Sequence, residues 1–244
     1  MGGVSEPIPS SVATFRAGYR ARMGRFYVGP AHLAFTSFAS LGVIAFALSR
    51  LSHVRPLEWL LVPVTFLVAN AAEYFGHRGP MHRPARGLRL IYQRHTLEHH
   101  HFFTHEAMAF ESRRDFKMVL FPPVLLLFFL GALATPIGAL FFWWVSPNAG
   151  WLFVATAMGY FLTYEWLHFG YHLPESHPLA RTPLLRALRR HHTVHHDLRR
   201  MGHHNFNISF PLFDTLMGTT WKAPLSAAAP PPPAARPGRG AGAG

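Results

Sequence analysis

The sequence predicts an all-α membrane protein, a bundle of four transmembrane helices that carries a cytoplasmic cap of shorter helices. Apolar residues make up 50% of the 244 residues and charged residues only 14%, against about 25% charged in an ordinary soluble domain. The apolar residues occur in long blocks, and the basic residues lie beside those blocks. Most of the 18 histidines are clustered in the polar segments that follow apolar blocks. Together these patterns indicate several membrane crossings with one polar, histidine-rich face.

The N-terminal half of the bundle is predicted as a basic arm followed by a helical hairpin. Residues 1–30 form the arm, with an interfacial helix expected around Ala13–Tyr27. The first span is predicted at His32–Leu48 and the second at about Leu57–Phe75. Both approach the roughly 20 residues that cross a hydrocarbon core of about 30 Å. Because few residues separate them, the two spans should be antiparallel neighbours.

The third apolar block is ambiguous from its sequence. Met118–Val145 contains two adjacent prolines and two glycines, so it is compatible with one bent crossing or with a helical hairpin. A further span is predicted at Trp151–Tyr171. The membrane domain should therefore cover residues 31–222, and the tail from Ala223 to the end, rich in Pro, Gly and Ala, is expected to be disordered.

The position of the histidines sets the number of crossings. If all clusters build one site, residues 76–117 and 172–222 lie on the same face, and the third block acts as a single crossing. Those segments hold eight and seven Lys or Arg residues, whereas the turn at 146–150 holds none. The positive-inside rule then places the histidine site and both termini on the cytoplasmic side. The net charge of +12 is explained by anionic lipid head groups, and no nucleic acid partner is expected.

The histidine spacings point to metal binding. Side chains at i, i+3 and i+4 share one face of a helix, which fits His168 with His172, and His192 with His195 and His196. The same reasoning pairs His95 with His99 in the second cluster. Cysteine is absent, so nitrogen and oxygen must supply the ligands. About ten histidines exceed what one metal uses and indicate two metals, whose identity an all-nitrogen donor set leaves open among iron, zinc and copper.

In their order and placement the four boxes, H-x4-H, H-x3-HH, H-x3-H and H-x2-HH, resemble those of the fatty acid hydroxylase/sterol desaturase superfamily, which are integral-membrane di-iron oxygenases. The segment from Asn205 to Thr219 also resembles the one that follows the family's last box. The resemblance covers roughly residues 56–222. It implies as metal ligands His77, His82, His95, His99, His100, His168, His172, His192, His195 and His196.

Two features qualify how the family pattern carries over. The second box has one residue more than the commoner H-x2-HH, so the choice among His99, His100 and His101 stays open. No cytochrome b5-like domain is recognised at either end, so a separate electron-donor protein is expected. The residues expected to hydrogen-bond the ligand imidazoles at the ring nitrogen that does not bind metal are Glu73, Glu165, His101, His203 and His204.

The function that the resemblance implies is O₂-dependent hydroxylation of a lipid C–H bond by two iron ions in the membrane. Zinc is an alternative occupant of the site in purified protein. A lipid desaturase of the same superfamily is the nearest alternative. A non-catalytic membrane protein that transports or stores metal is the other, but it requires polar residues along the spans, where Asn70 stands nearly alone.

Overall fold

The computed structural model describes residues 8–223, and in this part of the chain the regular structure is helical, without a β-strand. In chain order the α-helices are α1 (Ser10–Arg22), α2 (Gly29–Ser49), α3 (Leu61–Gly76), α4 (Arg89–Tyr92), α5 (His100–Phe102), α6 (Phe116–Val119), α7 (Pro123–Phe128), α8 (Thr135–Trp144), α9 (Pro147–Tyr171), α10 (Pro183–His195) and α11 (Leu212–Leu216). Three π-helical turns adjoin them, at His77–Met81, Gln93–His99 and Phe129–Ala134. The tail that the sequence predicts to be disordered lies, beyond Ala223, outside the described residues.

Three helical stretches are long and apolar enough to cross a membrane, as in an integral membrane protein. They are Gly29–Ser49, Pro56–Met81 and Arg113–Trp144. The first two contain the spans predicted from the sequence and extend them by a few residues. Large apolar side chains on these helices, such as Phe38, are exposed on the outside of the bundle, where lipid can cover them.

The third apolar block is one helix and not a hairpin. After α6 the backbone is extended at Leu120 and Pro122. From Pro123 it stays helical through α7, the π-turn and α8, since the residues at both junctions keep helical dihedral angles. The proline pair therefore marks the start of the helix, where a missing N–H costs no hydrogen bond.

α9 is the interior helix of the bundle. Its 25 residues are enough to cross a membrane, but it is less apolar than the three spans above and is not among them. It contacts α2, α3 and α8, and more than half of its residues are buried. A helix that other helices surround can carry polar groups such as Glu165 and His168, because it shows little surface to lipid.

The two turns farthest from the histidines touch each other. Asn148, beside the α8–α9 turn, accepts a hydrogen bond from the backbone N–H of Ser52 (3.0 Å) and donates to the Ser52 carbonyl (2.8 Å). The Ser146 hydroxyl donates to Glu58, just before α3. The α2–α3 and α8–α9 connections therefore lie at one end of the bundle, and the histidine boxes lie at the other.

The N-terminal helix packs against the segment that follows the second histidine box. Arg16 of α1 is buried, and its guanidinium donates to the carbonyls of Phe102 (2.8 Å) and Ala107 (2.6 Å). Arg20 forms an ion pair of 2.6 Å with the fully buried Asp115. Hydrogen bonds make a buried guanidinium tolerable. Here they join α1 to the cap, by which we mean residues 76–117 and 172–222, which carry the histidine boxes.

We expect Gly150→Ala to destabilise the bundle, because glycine lets α8 and α9 approach closely. A Cβ at Gly150 would lie 2.7 Å from both the Gly138 carbonyl oxygen and the Phe142 Cβ. Overpacking of this kind costs about 1–3 kcal/mol, so the midpoint of thermal unfolding in detergent should fall. The control is Gly159→Ala in the same helix, where no atom lies within 4 Å and better helix propensity should leave the midpoint equal or higher. Equal effects of the two substitutions would contradict the close-packing argument.

Candidate metal centre

The first histidine box folds through a π-helical turn. His77 directly follows α3, and the turn His77–Met81 contains Gly79 at φ −88° and ψ −108°, outside helical values. In an α-helix five residues would carry His82 about 140° away from His77. The wider turn and the break at Gly79 instead bring the two rings to 5.0 Å between centroids.

The second box uses another π-helical turn, Gln93–His99, to accommodate its additional residue. A π-turn inserts one residue into a helix, so i and i+5 share a face. Accordingly the Nε2 atoms of His95 and His100 are 3.1 Å apart, whereas the Nε2 of His99 lies 3.2 Å from that of His168. The expected pairing of His95 with His99 at i, i+4 is therefore wrong.

The third and fourth boxes lie at the C-terminal ends of α9 and α10. His168 and His172 are one turn apart, as expected, and their ring centroids are 5.1 Å apart. His192 and His196 also pair, with Nε2 atoms 2.9 Å apart. His195 turns the other way, and its Nε2 lies 3.0 Å from that of His82.

The histidines form two adjacent groups of five that could each hold a metal ion. Within each group the ligand nitrogens all lie within 4.8 Å of one another. The first group contains His77, His82, His95, His100 and His195, and the second contains His99, His168, His172, His192 and His196. The groups touch, since the rings of His100 and His196 stack with centroids 4.4 Å apart. The structure thus brings together all ten histidines that the family resemblance implies as ligands.

Backbone carbonyls hold the outer ring nitrogen of half of these histidines. The Nδ1 atom of His99 lies 2.7 Å from the Met118 carbonyl oxygen, and that of His172 lies 2.7 Å from the Met108 oxygen. The same contact joins His77 to Phe206, His195 to His204 and His196 to Phe103. A carbonyl can only accept, so Nδ1 carries the proton and Nε2 keeps its lone pair. Five imidazoles are therefore fixed in the tautomer that binds a metal through Nε2.

Burial keeps these imidazoles neutral. It lowers the pKa of His82 to about 2, and the neighbouring His195 contributes to this decrease. Burial lowers the pKa of His99 to about 4, although the Met118 carbonyl acts in the opposite direction. The pKa of His192 is also held well below its ordinary value by burial. Neutral imidazole is the form that ligates metals, so the charge state fits a metal site.

Glu73 and Glu165, the two acidic residues expected to hydrogen-bond the ligand imidazoles, have other partners. Glu73 accepts hydrogen bonds from the Ser209 backbone N–H (3.0 Å) and hydroxyl (2.5 Å), and from the Ile208 N–H and the Tyr160 hydroxyl. Glu165 is buried and accepts from the Phe121 N–H at 3.2 Å. Neither carboxylate is seen hydrogen-bonded to a ligand imidazole. Glu73 instead anchors the loop that supplies the Phe206 carbonyl.

The three further histidines that the sequence analysis named, His101, His203 and His204, lie outside the two groups of five. His101 belongs to neither group of five, and its Nδ1 lies 3.1 Å from the Thr96 carbonyl oxygen. His203 is exposed. His204 supports the site through its backbone, because its carbonyl oxygen lies 3.0 Å from the His195 Nδ1.

Asp214 holds the loop after the last histidine box. Its buried carboxylate accepts from the N–H groups of Phe206 (2.9 Å) and Asn207 (2.7 Å), from the Thr219 hydroxyl (2.6 Å), and faces the His191 Nε2 (3.0 Å). Burial would raise the pKa of Asp214, but these hydrogen bonds together keep it below its ordinary value. The carboxylate therefore stays ionised and orders the segment that positions His77.

An apolar cavity of about 250 Å³ reaches both histidine groups. His95 of the first group and His168 of the second line it, as does Tyr164. The remaining lining comes mainly from apolar side chains of α4 and of the segment around α6 and α7, including Ile91 and Leu125. A ligand in this cavity would contact both groups while being surrounded mainly by apolar side chains, with Arg94 as the charged lining residue.

The apolar spans are those of a membrane protein. The two groups of imidazoles form a donor set of the kind found in metalloenzymes. The model of the fatty acid hydroxylase family matches residues 62–219, and the chain belongs to this family. No curated protein matches the sequence significantly. Among solved structures the chain is similar to full-length Scs7p, of which only the hydroxylase domain is visible, with a TM-score of 0.52 and 22% identity over 81% of this chain and 67% of that one. At this identity the likeness establishes the fold.

We expect His100→Ala to lower the metal content of the purified protein, because His100 belongs to a group of five and is fully buried. His101→Ala removes the neighbouring imidazole, which lies outside both groups, and should leave the metal content unchanged. Inductively coupled plasma mass spectrometry of both variants measures the difference. If His101→Ala lost metal and His100→Ala retained it, the assignment of the second box would be wrong.

Proposed function

We propose that this protein is a membrane-bound di-iron enzyme that uses O₂ to hydroxylate a C–H bond of a lipid. The observation that carries the proposal is the division of ten imidazoles, nine of them buried, into two touching groups of five. Membership of the fatty acid hydroxylase family supports the reaction type and the lipid class of the substrate.

The donor set fits a pair of redox metals. Five neutral imidazoles in each group exceed the four ligands that zinc usually takes and leave room for a further ligand on a six-coordinate metal such as iron. The Nδ1–carbonyl contacts pre-orient the ligand nitrogens before a metal arrives. When bound, two iron ions would supply the redox chemistry that activates O₂ and attacks an unactivated C–H bond.

The protein's own contribution is to hold a lipid chain beside the two groups. The cavity is lined by side chains such as Val119 and Leu120 and ends at His95, His99 and His168. Its apolar wall favours a hydrocarbon chain and excludes water. One carbon of that chain would be presented to the histidine groups, and the walls would determine which one.

The bundle supports a catalytic role over metal transport. Asn70, a polar residue in the second span, is fully buried and donates hydrogen bonds to the Tyr160 hydroxyl (2.9 Å) and the Phe210 carbonyl (2.9 Å). These contacts use the amide to hold the loop after the last box, so it does not form part of a polar path. A desaturase would need the same histidines, and we favour hydroxylation because it is the activity in the family's description.

We further propose that α9 is the fourth crossing, with the histidine cap and both termini on the cytoplasmic side. The contact between Ser52 and Asn148 joins the two turns at the end opposite the cap, as four antiparallel crossings require. The basic residues gathered beside the histidine boxes support the orientation.

The test is a reconstituted assay in lipid nanodiscs. Protein loaded with Fe(II) should consume O₂ when a chemical reductant and lipid are present, and ¹⁸O₂ should label the hydroxyl group of the lipid product. Protein loaded with zinc is the control and should do neither. Unlabelled product, or a new double bond without a hydroxyl group, would reject hydroxylation, and metal transport without O₂ uptake would reject the enzyme.

Ile91→Trp should reduce lipid turnover at least about tenfold without loss of metal, because it fills the cavity and tenfold corresponds to about 1.4 kcal/mol. Its control is Leu97→Trp, on the neighbouring π-turn, since Leu97 is 44% exposed and does not line the cavity. Lipid product and metal content are measured for both. Equal turnover by the two variants would show that the chain reaches the site by another route.

A further inference from the structure

A second cavity, of about 780 Å³, opens on the cap along α10 and differs in chemistry from the lipid cavity. Arginines line it at positions 181, 186, 189 and 190, together with a single acidic residue, Glu175. None of the residues that line this groove lines the apolar cavity. We call it the arginine groove, and its occupant can bind while a lipid occupies the other cavity.

Most of the positive charge in the groove is left uncompensated. Arg186 and Arg190 are exposed and form no ion pair with any other described residue. Arg189 donates to the Leu173 carbonyl (3.0 Å). Its ion pair with Glu175 is long, with 3.9 Å between the guanidinium nitrogen and the carboxylate oxygen, and the Glu175 carboxylate is exposed. Such a concave, basic surface attracts acidic partners and speeds their association.

The floor of the groove is linked to both histidine groups. His191 lines the groove and directly precedes His192 of the second group. Trp221 also lines it, and its ring lies 5.0 Å from the ring of His204. The His204 carbonyl contacts the Nδ1 of His195, in the first group, at 3.0 Å. The second group is therefore one covalent step from the groove, and the first group is reached through the ring contact of Trp221 with His204 and the hydrogen bond of His204 to His195.

We propose that the arginine groove is the docking site for a small, acidic, one-electron carrier protein. This inference rests on the proposed function. Hydroxylation of a C–H bond by O₂ needs two electrons and two protons, because one oxygen atom enters the C–OH group and the other leaves as water. Two successive one-electron transfers from the carrier supply the electrons, and solvent supplies the protons. The groove places the carrier next to the histidines and away from the lipid.

The chain's own tail does not fit the groove as well as an acidic protein does. Ala223, the last described residue, lies at the groove. The 21 residues that follow contain Arg236 and Arg239 but no Asp or Glu, so their charge repels the arginines. An anionic lipid head group would match the charge, but it would make no use of the links through His191 and Trp221. Lipid binding is therefore an outcome that the experiment must separate.

The experiment measures carrier binding by the full-length protein in nanodiscs of neutral phosphatidylcholine. The probes are an acidic [2Fe–2S] ferredoxin and an acidic flavodoxin, with the basic cytochrome c as a charge control. The double variant Arg186→Glu/Arg190→Glu should raise the Kd of both acidic carriers at least about tenfold at low salt and weaken the salt dependence of binding. The matched control Arg83→Glu/Arg86→Glu makes the same change in net charge at exposed positions outside the groove and should change the Kd less than about twofold.

Binding by neither carrier, or equal losses in the two double variants, overturns the proposal. So does a groove variant that keeps its carrier affinity but, in a parallel measurement with phosphatidylglycerol added to the nanodiscs, binds less of that lipid than the unmodified protein, which would assign the groove to lipid. Thermal unfolding of each variant controls for folding. The docking proposal and the proposed hydroxylation can be rejected independently. O₂ uptake driven by dithionite tests the hydroxylation without any carrier, and carrier binding is measured without turnover.

Discussion

The structure depends on one constraint, which is that ten neutral imidazoles must point their Nε2 atoms into two small buried volumes. An imidazole can rotate or exchange its proton between nitrogens unless its outer nitrogen is held. Backbone carbonyls hold Nδ1 in His77, His99, His172, His195 and His196. The peptide segments that bear those carbonyls must therefore be rigid, and much of the cap serves to make them so.

Acidic and basic side chains outside the candidate ligand set provide that rigidity. Glu73 and Asp214 fix the loop that carries the Phe206 carbonyl, and Arg16 fixes the backbone beside Phe103, whose carbonyl contacts His196. Removal of a charged group from water is expensive, and hydrogen bonds to two or more partners offset part of that cost at each of these residues. A substitution at these positions would act on the metal centre indirectly, through the carbonyls.

The bundle gives the cap two surfaces of opposite character. The apolar cavity reaches His95 and His168 through hydrocarbon side chains, whereas the arginine groove reaches His191 from the charged surface along α10. The proposed enzyme, which would take its substrate from lipid and its electrons from a carrier in the aqueous phase, needs two such routes. Because the routes share no lining residue, each can be altered without the other.

By itself the sequence determined the helical class and the position of the first two spans, because the length of an apolar block is a local property of the chain. It also named the ten candidate ligands, through the resemblance of its histidine boxes to those of a known family. It did not determine how the ligands divide. His95 pairs with His100 and His99 joins His168 because a π-turn absorbs one residue, and a turn of that kind is selected by packing around it and not by local propensity. The carbonyls that orient the rings come from residues such as Met118 and Phe206, distant in sequence and ordinary in type. Only the tertiary structure could bring them behind the histidines, because a backbone carbonyl has no side-chain identity that a sequence can display.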